Sequence, residues 1–119
     1  KYITKYIVEN TNSRIVISST WRLKYDDLMM VKSNLLLENL NYIDRTPFLP
    51  NDERCDEIED WLYENLDNYD NFIILDDDPD ASGEKFNNHF FQTDPEVGLT
   101  YDIAKKAVDF LNSGLHKIR

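Results

Sequence analysis

Asn71-Phe72-Ile73-Ile74-Leu75-Asp76-Asp77-Asp78-Pro79 sets an unbroken apolar run directly before three carboxylates. A run without polar alternation suits a strand covered on both faces, as in a parallel sheet. A second stretch, Arg14-Ile15-Val16-Ile17-Ser18-Ser19-Thr20-Trp21-Arg22, has the same form but ends in hydroxyls. Around these two strands apolar residues recur at helical spacing. Tyr2, Ile3, Tyr6 and Ile7 mark a helix over 2–10, and Leu28, Met29, Val31, Leu35, Leu36 and Leu40 form a stripe over 26–40. Cys55, Ile58, Trp61, Leu62 and Leu66 give a third helix capped at Asn51 or Asp52. Ile103, Ala104, Ala107, Val108 and Leu111 give a fourth, capped by Thr100 and stopped at Gly114. Short strands are expected at Tyr42-Ile43 and from His89 to Gln92. Strands alternating with amphipathic helices predict βαβ units, a parallel sheet and one α/β domain over 1–119. Ligands of such sheets bind beyond the carboxyl ends of the strands, so Ser18 and the Asp76/Asp77 pair are predicted to share one edge.

The 119 residues suffice for one core, and 41% hydrophobic with 30% charged residues places the chain outside the disordered and membrane classes. No apolar run approaches the roughly 20 residues that span a bilayer, and no secretory h-region opens the chain. A cytoplasmic setting without a membrane partner is the expectation. The single cysteine, Cys55, excludes an internal disulfide and lies on an apolar helix face, where it reads as a core thiol. A net charge of −10 opposes non-specific nucleic-acid binding and otherwise acts as a solubility device. The sequence opens at Lys1 and enters a helical pattern almost at once, which reads as the continuation of a longer chain.

Two stretches carry chemistry. Adjacent carboxylates repel by about 1 kcal/mol at 4 Å in water and about 4 at an effective dielectric of 20. At a buried strand end Mg²⁺ would offset this, because it accepts one or two carboxylates and keeps several waters; a solvated acidic turn is the plain alternative. In Ile17-Ser18-Ser19-Thr20-Trp21-Arg22, a strand-end hydroxyl followed by arginine suits a phosphate oxygen, whereas Ser18, Ser19 or Thr20 could instead cap the next helix. Arg54 stands in the first turn of a helix, slightly unfavourable for the helix dipole, which suggests a task outside the helix or a pair with Glu57. His89 reads as a structural or edge-strand histidine. No Gly-rich phosphate loop, His/Cys metal spacing or nucleophile elbow occurs.

Together Ile15–Arg22, Thr46-Pro47, Arg54-Cys55-Asp56-Glu57-Ile58 with Trp61-Leu62, Ile73–Asp77 and Gly98-Leu99-Thr100 resemble the haloacid dehalogenase-type phosphohydrolases. The similarity is to the cap-poor group found in RNA-repair and phage-type phosphatases. It implies a three-layer α/β/α sandwich on a parallel, Rossmann-type sheet. It also implies Mg²⁺ at Asp76 and Asp77, and phosphate at Ser18 with Ser19 and Arg22 beside it. Arg54 would be the basic residue stabilising charge on the nucleophile and phosphoryl oxygens, and the chemistry would run through an aspartyl-phosphate. The substrate would be a phosphorylated small molecule, such as a nucleotide, or a nucleic-acid end.

One part of the family pattern has no counterpart. Its nucleophile is the first aspartate of an Asp-x-Asp motif on an N-terminal strand, and no segment before Ser18 matches it. In the resembling sheet that strand lies between the Ser18 and Asp76 strands, and its loss would expose unpaired backbone on both neighbours. The expectation is a core domain that is N-terminally incomplete, the segment preceding Lys1 or coming from another chain. A catalytically silent binding module is the alternative function. A receiver-like signalling domain fits less well, because its acidic pair would precede the hydroxyl strand.

Overall fold

The computed structural model describes residues 3–18, 23–65 and 67–113. Helices and short strands alternate through them: α1 (Ile3–Thr11), β1 (Ile15–Ile17), α2 (Tyr25–Leu37), β2 (Tyr42–Arg45), α3 (Arg54–Glu64), β3 (Ile74–Asp76), β4 (Phe90–Gln92) and α4 (Tyr101–Ser113). This is the predicted α/β order. Single 3-10 turns at Pro79–Ala81 and Asn87–His89 carry the chain from β3 to β4.

Local chemistry sets the helix ends. α1 closes at Asn12, whose N–H donates to Val8 O at 3.0 Å while its φ of 57° turns the chain out of the helix. Thr100 caps α4 as expected, its hydroxyl accepting from the Ile103 N–H at 3.3 Å. The cap of α3 differs from the expected Asn51 or Asp52. Glu53 takes that place in a reciprocal capping box with Asp56, while the Asp52 N–H donates to Leu49 O in the preceding turn. α2 begins at Tyr25 with Lys24 as its N-cap residue, so the hydroxyl of Ser18 does not cap it.

The strands form two parallel pairs rather than one sheet, a departure from the predicted single parallel sheet. β1 pairs with β2 with a register shift after Ile15, and β3 pairs with β4 through Ile74↔Phe90, Leu75↔Phe91 and Asp76↔Gln92. Among the described residues β1 and β3 are thus each paired on one side only. Three contacts fix their relative direction. Tyr6 lies on Tyr101 with ring centroids 5.1 Å apart, and Asn112 Nδ2 donates to Asn10 O at 3.1 Å, so α1 and α4 run parallel. Asn71 Nδ2 reaches Phe110 O at 3.5 Å. The chain therefore enters β1 and β3 at the same end, and Ser18 and Asp76 lie at the other.

β3 is covered on both faces. Ile73 and Leu75 pack with Ile7, Ala104, Ala107 and Val108 of α1 and α4, while Phe72 and Ile74 pack with Ile58 and Leu62 of α3. This alternation is the period-two pattern of a buried strand. Of the stripe expected over 26–40, Leu28 is buried and Met29, Val31, Leu35 and Leu40 are partly buried, whereas Leu36 is 55% exposed. Ala107 has no exposure where α1 crosses α4. Ala107→Leu is expected to cost about 1–3 kcal/mol by overpacking, measured as a lower urea midpoint with unchanged m-value.

Candidate functional site

Between β1 and β3 lies a cleft of about 790 Å³, bordered by the consecutive residues Arg14–Ser18 on one side and Asp70–Asp76 on the other. Its walls are apolar midway, where Ile7 and Val8 of α1 face Ile58 and Leu62 of α3, and its two ends are polar. At the carboxyl end stand Ser18, Asp76 and the buried Thr46, whose N–H donates to Ile17 O at 3.0 Å. The predicted shared edge for Ser18 and Asp76 is where both residues are found.

Asp76 is held from two directions. Its Oδ2 accepts from Arg54 Nη2, and its Oδ1 accepts from the Asp78 N–H at 2.9 Å. Burial pushes its pKa up, but the hydrogen bond from Arg54, the Asp78 N–H and the Arg54 charge outweigh this and leave the carboxyl below the usual range. The task outside its helix that the sequence suggested for Arg54 is this pair. Its Nε is buried without a hydrogen-bond partner, so the guanidinium keeps a donor in reserve among the described residues.

The Asp76-Asp77-Asp78 run forms a tied turn. Asp78 caps the 3-10 turn by accepting from the Asp80 N–H at 3.0 Å, and Gln92 Nε2 donates to Asp77 O at 3.0 Å. Asp76 is partly buried and Asp77 is exposed. Two adjacent carboxylates suit a hard cation that retains waters, as Mg²⁺ does; no group of three or more metal-binding side chains forms among the described residues. Ser19 and Arg22, expected beside the phosphate, lie outside the described residues.

Further residues brace the site without having been singled out in the sequence. Lys85 bridges Asp56 at 2.6 Å and Glu59 at 3.2 Å, tying the β3–β4 connection to α3; the hydrogen bond it donates to Asp56 leads the causes that raise its pKa. Gly83, at φ 56°, lets that connection approach α3: a Cβ there would lie 2.9 Å from Cys55 Sγ. Cys55 is buried, as the core-thiol reading expected. Lys85 did leave a signal, as the only Lys or Arg between Arg54 and Lys105. His89 is structural: it stacks on Phe72 at 3.9 Å between ring centroids and bonds Phe72 O through Nδ1 at 2.9 Å.

Parallel strand pairs flanked by helices, with a hydroxyl and an arginine-bound carboxylate at the same end of the cleft, are those of an α/β domain. The model of a family described as the HAD domain in Swiss Army Knife RNA repair proteins matches residues 3–104, and the chain belongs to that family. No curated protein and no solved structure matches the chain. No described helix is long and apolar enough to cross a membrane.

A carboxyl with a depressed folded-state pKa contributes stability that is present above its unfolded value, near 3.9, and lost as pH falls through the folded value. Arg54→Gln removes the hydrogen bond and the charge that depress Asp76. The Asp76 carboxyl, followed by NMR, is expected to titrate at higher pH in the variant, and acid unfolding to begin at higher pH.

Proposed function

We propose that this domain is the core of a Mg²⁺-dependent phosphohydrolase acting on a phosphomonoester of a nucleotide or nucleic-acid end. The observation that carries the reading is the Arg54–Asp76 pair at the end of β3, on the same cleft end as Ser18. Family membership supports phosphohydrolase chemistry. Ser18 would bind a phosphoryl oxygen, with Ser19 and Arg22 following it in the chain. Arg54 would stabilise negative charge at the transferring group. Asp76 and Asp77 would hold Mg²⁺, which neutralises phosphate charge when bound.

The nucleophile is an aspartate on a segment outside these 119 residues. The cleft supports this: among the described residues β1 and β3 each have a strand partner on one edge only, and they run in the same direction. A strand seated there would join both pairs into one sheet, complete the three-layer sandwich and bring its carboxyl end beside Ser18 and Asp76. Its carboxylate would attack phosphorus as the ester P–O bond breaks, and the leaving alkoxide would take its proton from solvent water. Water would then cleave the aspartyl-phosphate, returning the carboxylate and releasing inorganic phosphate.

A second reading, a catalytically silent binding module, draws on the Asp76 carboxylate being already engaged at both oxygens. One experiment separates the two. The whole protein is expected to hydrolyse p-nitrophenyl phosphate only with Mg²⁺, and Asp76→Asn to lower the rate at least 100-fold. Mg²⁺ or phosphate binding without turnover would favour the silent module, and activity unchanged in Asp76→Asn would remove Asp76 from the site.

A further inference from the structure

We infer that Glu57 and Trp61 of α3 are positioning residues that set the gap between the two halves of this site, an inference that rests on the phosphohydrolase reading. The halves belong to strand pairs that share no ladder: Ser18 follows β1, and Asp76 ends β3. A phosphoryl group held by both depends on their spacing, and among the described residues no strand-to-strand hydrogen bond fixes it. α3 spans the two. Arg54, Ile58 and Leu62 recur four residues apart and so share one stripe of the helix. Ile58 and Leu62 pack with Ile74 of β3, and Arg54 holds Asp76 at the end of that strand. Glu57 and Trp61, also four apart, form the neighbouring stripe and reach the other strand pair. Trp61 Nε1 donates to Asp44 Oδ2 of β2 at 2.8 Å, and Glu57 Oε2 accepts from the Leu49 N–H at 2.9 Å in the segment that follows β2.

Both contacts bear on Ser18. The Thr46 N–H donates to Ile17 O at 3.0 Å, adding a rung to the β1–β2 ladder directly before Ser18. Leu49 lies three residues beyond Thr46, so Glu57 holds the short segment that leads away from that rung. Glu57 is only 4% exposed, and burying an acidic side chain is costly unless its hydrogen bonds are made. The Trp61 ring stacks on Tyr69 with centroids 5.9 Å apart, which restrains the indole that donates to Asp44. α1 on α4 sets the direction of the strands, and the two α3 contacts set their separation at the carboxyl end. One helix thus carries Arg54 to one half of the site and tethers the other half with its next stripe.

The test separates a ligand that needs one half from a ligand that needs both. Asp76 and Asp77 alone would hold Mg²⁺, whereas inorganic phosphate with Mg²⁺ would extend to Ser18. In the whole protein, Glu57→Met keeps the length of the side chain without an acceptor, and Glu57→Gln keeps a carbonyl oxygen for the Leu49 N–H. Calorimetry is expected to show phosphate binding weakened about fivefold or more by Glu57→Met, with Mg²⁺ binding changed less than about twofold. The kcat for p-nitrophenyl phosphate should fall about tenfold or more, and by a larger factor than KM rises, because misplacement is felt most in the transition state. Glu57→Gln should stay within about threefold of the native protein on every measure. Trp61→Phe, which keeps a ring but no donor, should weaken phosphate binding in the same sense, and Asp44→Asn, which keeps an acceptor, should not. This second pair decides the matter if Glu57→Met does not fold. Phosphate binding unchanged in Glu57→Met and Trp61→Phe, Mg²⁺ and phosphate weakened together, or Glu57→Gln as damaged as Glu57→Met would overturn the inference. If the native protein binds phosphate without hydrolysing the ester, the phosphohydrolase reading fails and the binding comparison decides the positioning role alone. If it binds no phosphate, both fail.

Discussion

α1 resting on α4 is the contact on which the arrangement depends. α1 leads into β1, and α4 covers β3 and β4, so their contact joins two strand pairs that share no ladder. Ala104 and Ala107 make the approach close, since neither has a side chain beyond Cβ to hold the helices apart. Asn10, Asn71 and Asn112 then lock one end with side-chain to backbone hydrogen bonds. The opposite end is fixed as a consequence, and it collects Ser18 and Asp76. Site geometry here follows from a helix contact at a distance from it.

The cleft is the other side of that constraint. A parallel strand buried on both faces pairs on both edges in a continuous sheet, because an unpaired buried backbone group costs free energy comparable to a lost hydrogen bond. Among the described residues β1 and β3 each have one partner. The proposed nucleophile segment therefore answers a structural demand as well as a chemical one.

Arg54 and the acidic turn show how local and tertiary effects combine. In the first turn of α3 arginine is a small electrostatic misfit, and the capping box of Glu53 and Asp56 places carboxylates beside it. The pair with Asp76 offsets that misfit. Lys85 and Gly83 secure the same region by holding the β3–β4 connection onto α3. In the Asp76–Asp78 run, Asp76 takes the Arg54 cation and the Asp78 N–H, and Asp78 takes the Asp80 N–H.

Periodicity and strand-end chemistry made much of this protein legible in its sequence. Two apolar runs without alternation located β1 and β3, helical spacing located the four helices, and Thr100 marked its cap, because these are short-range effects of side-chain direction and hydrogen bonding. Ser18 and Asp76 could be assigned to one edge for the same reason: strand ends in a parallel fold fall together. The cap of α3 was misplaced because which of several neighbouring acceptors meets a free N–H is a matter of a few tenths of an ångström. The exposure of Leu36 on α2 and the partner of Arg54 were also decided in three dimensions. A hydrophobic stripe records what a helix could bury, and only the tertiary structure supplies a surface to cover it. Likewise the division into two strand pairs belongs to no local segment. It arises from edges that meet, or fail to meet, across residues far apart in the chain.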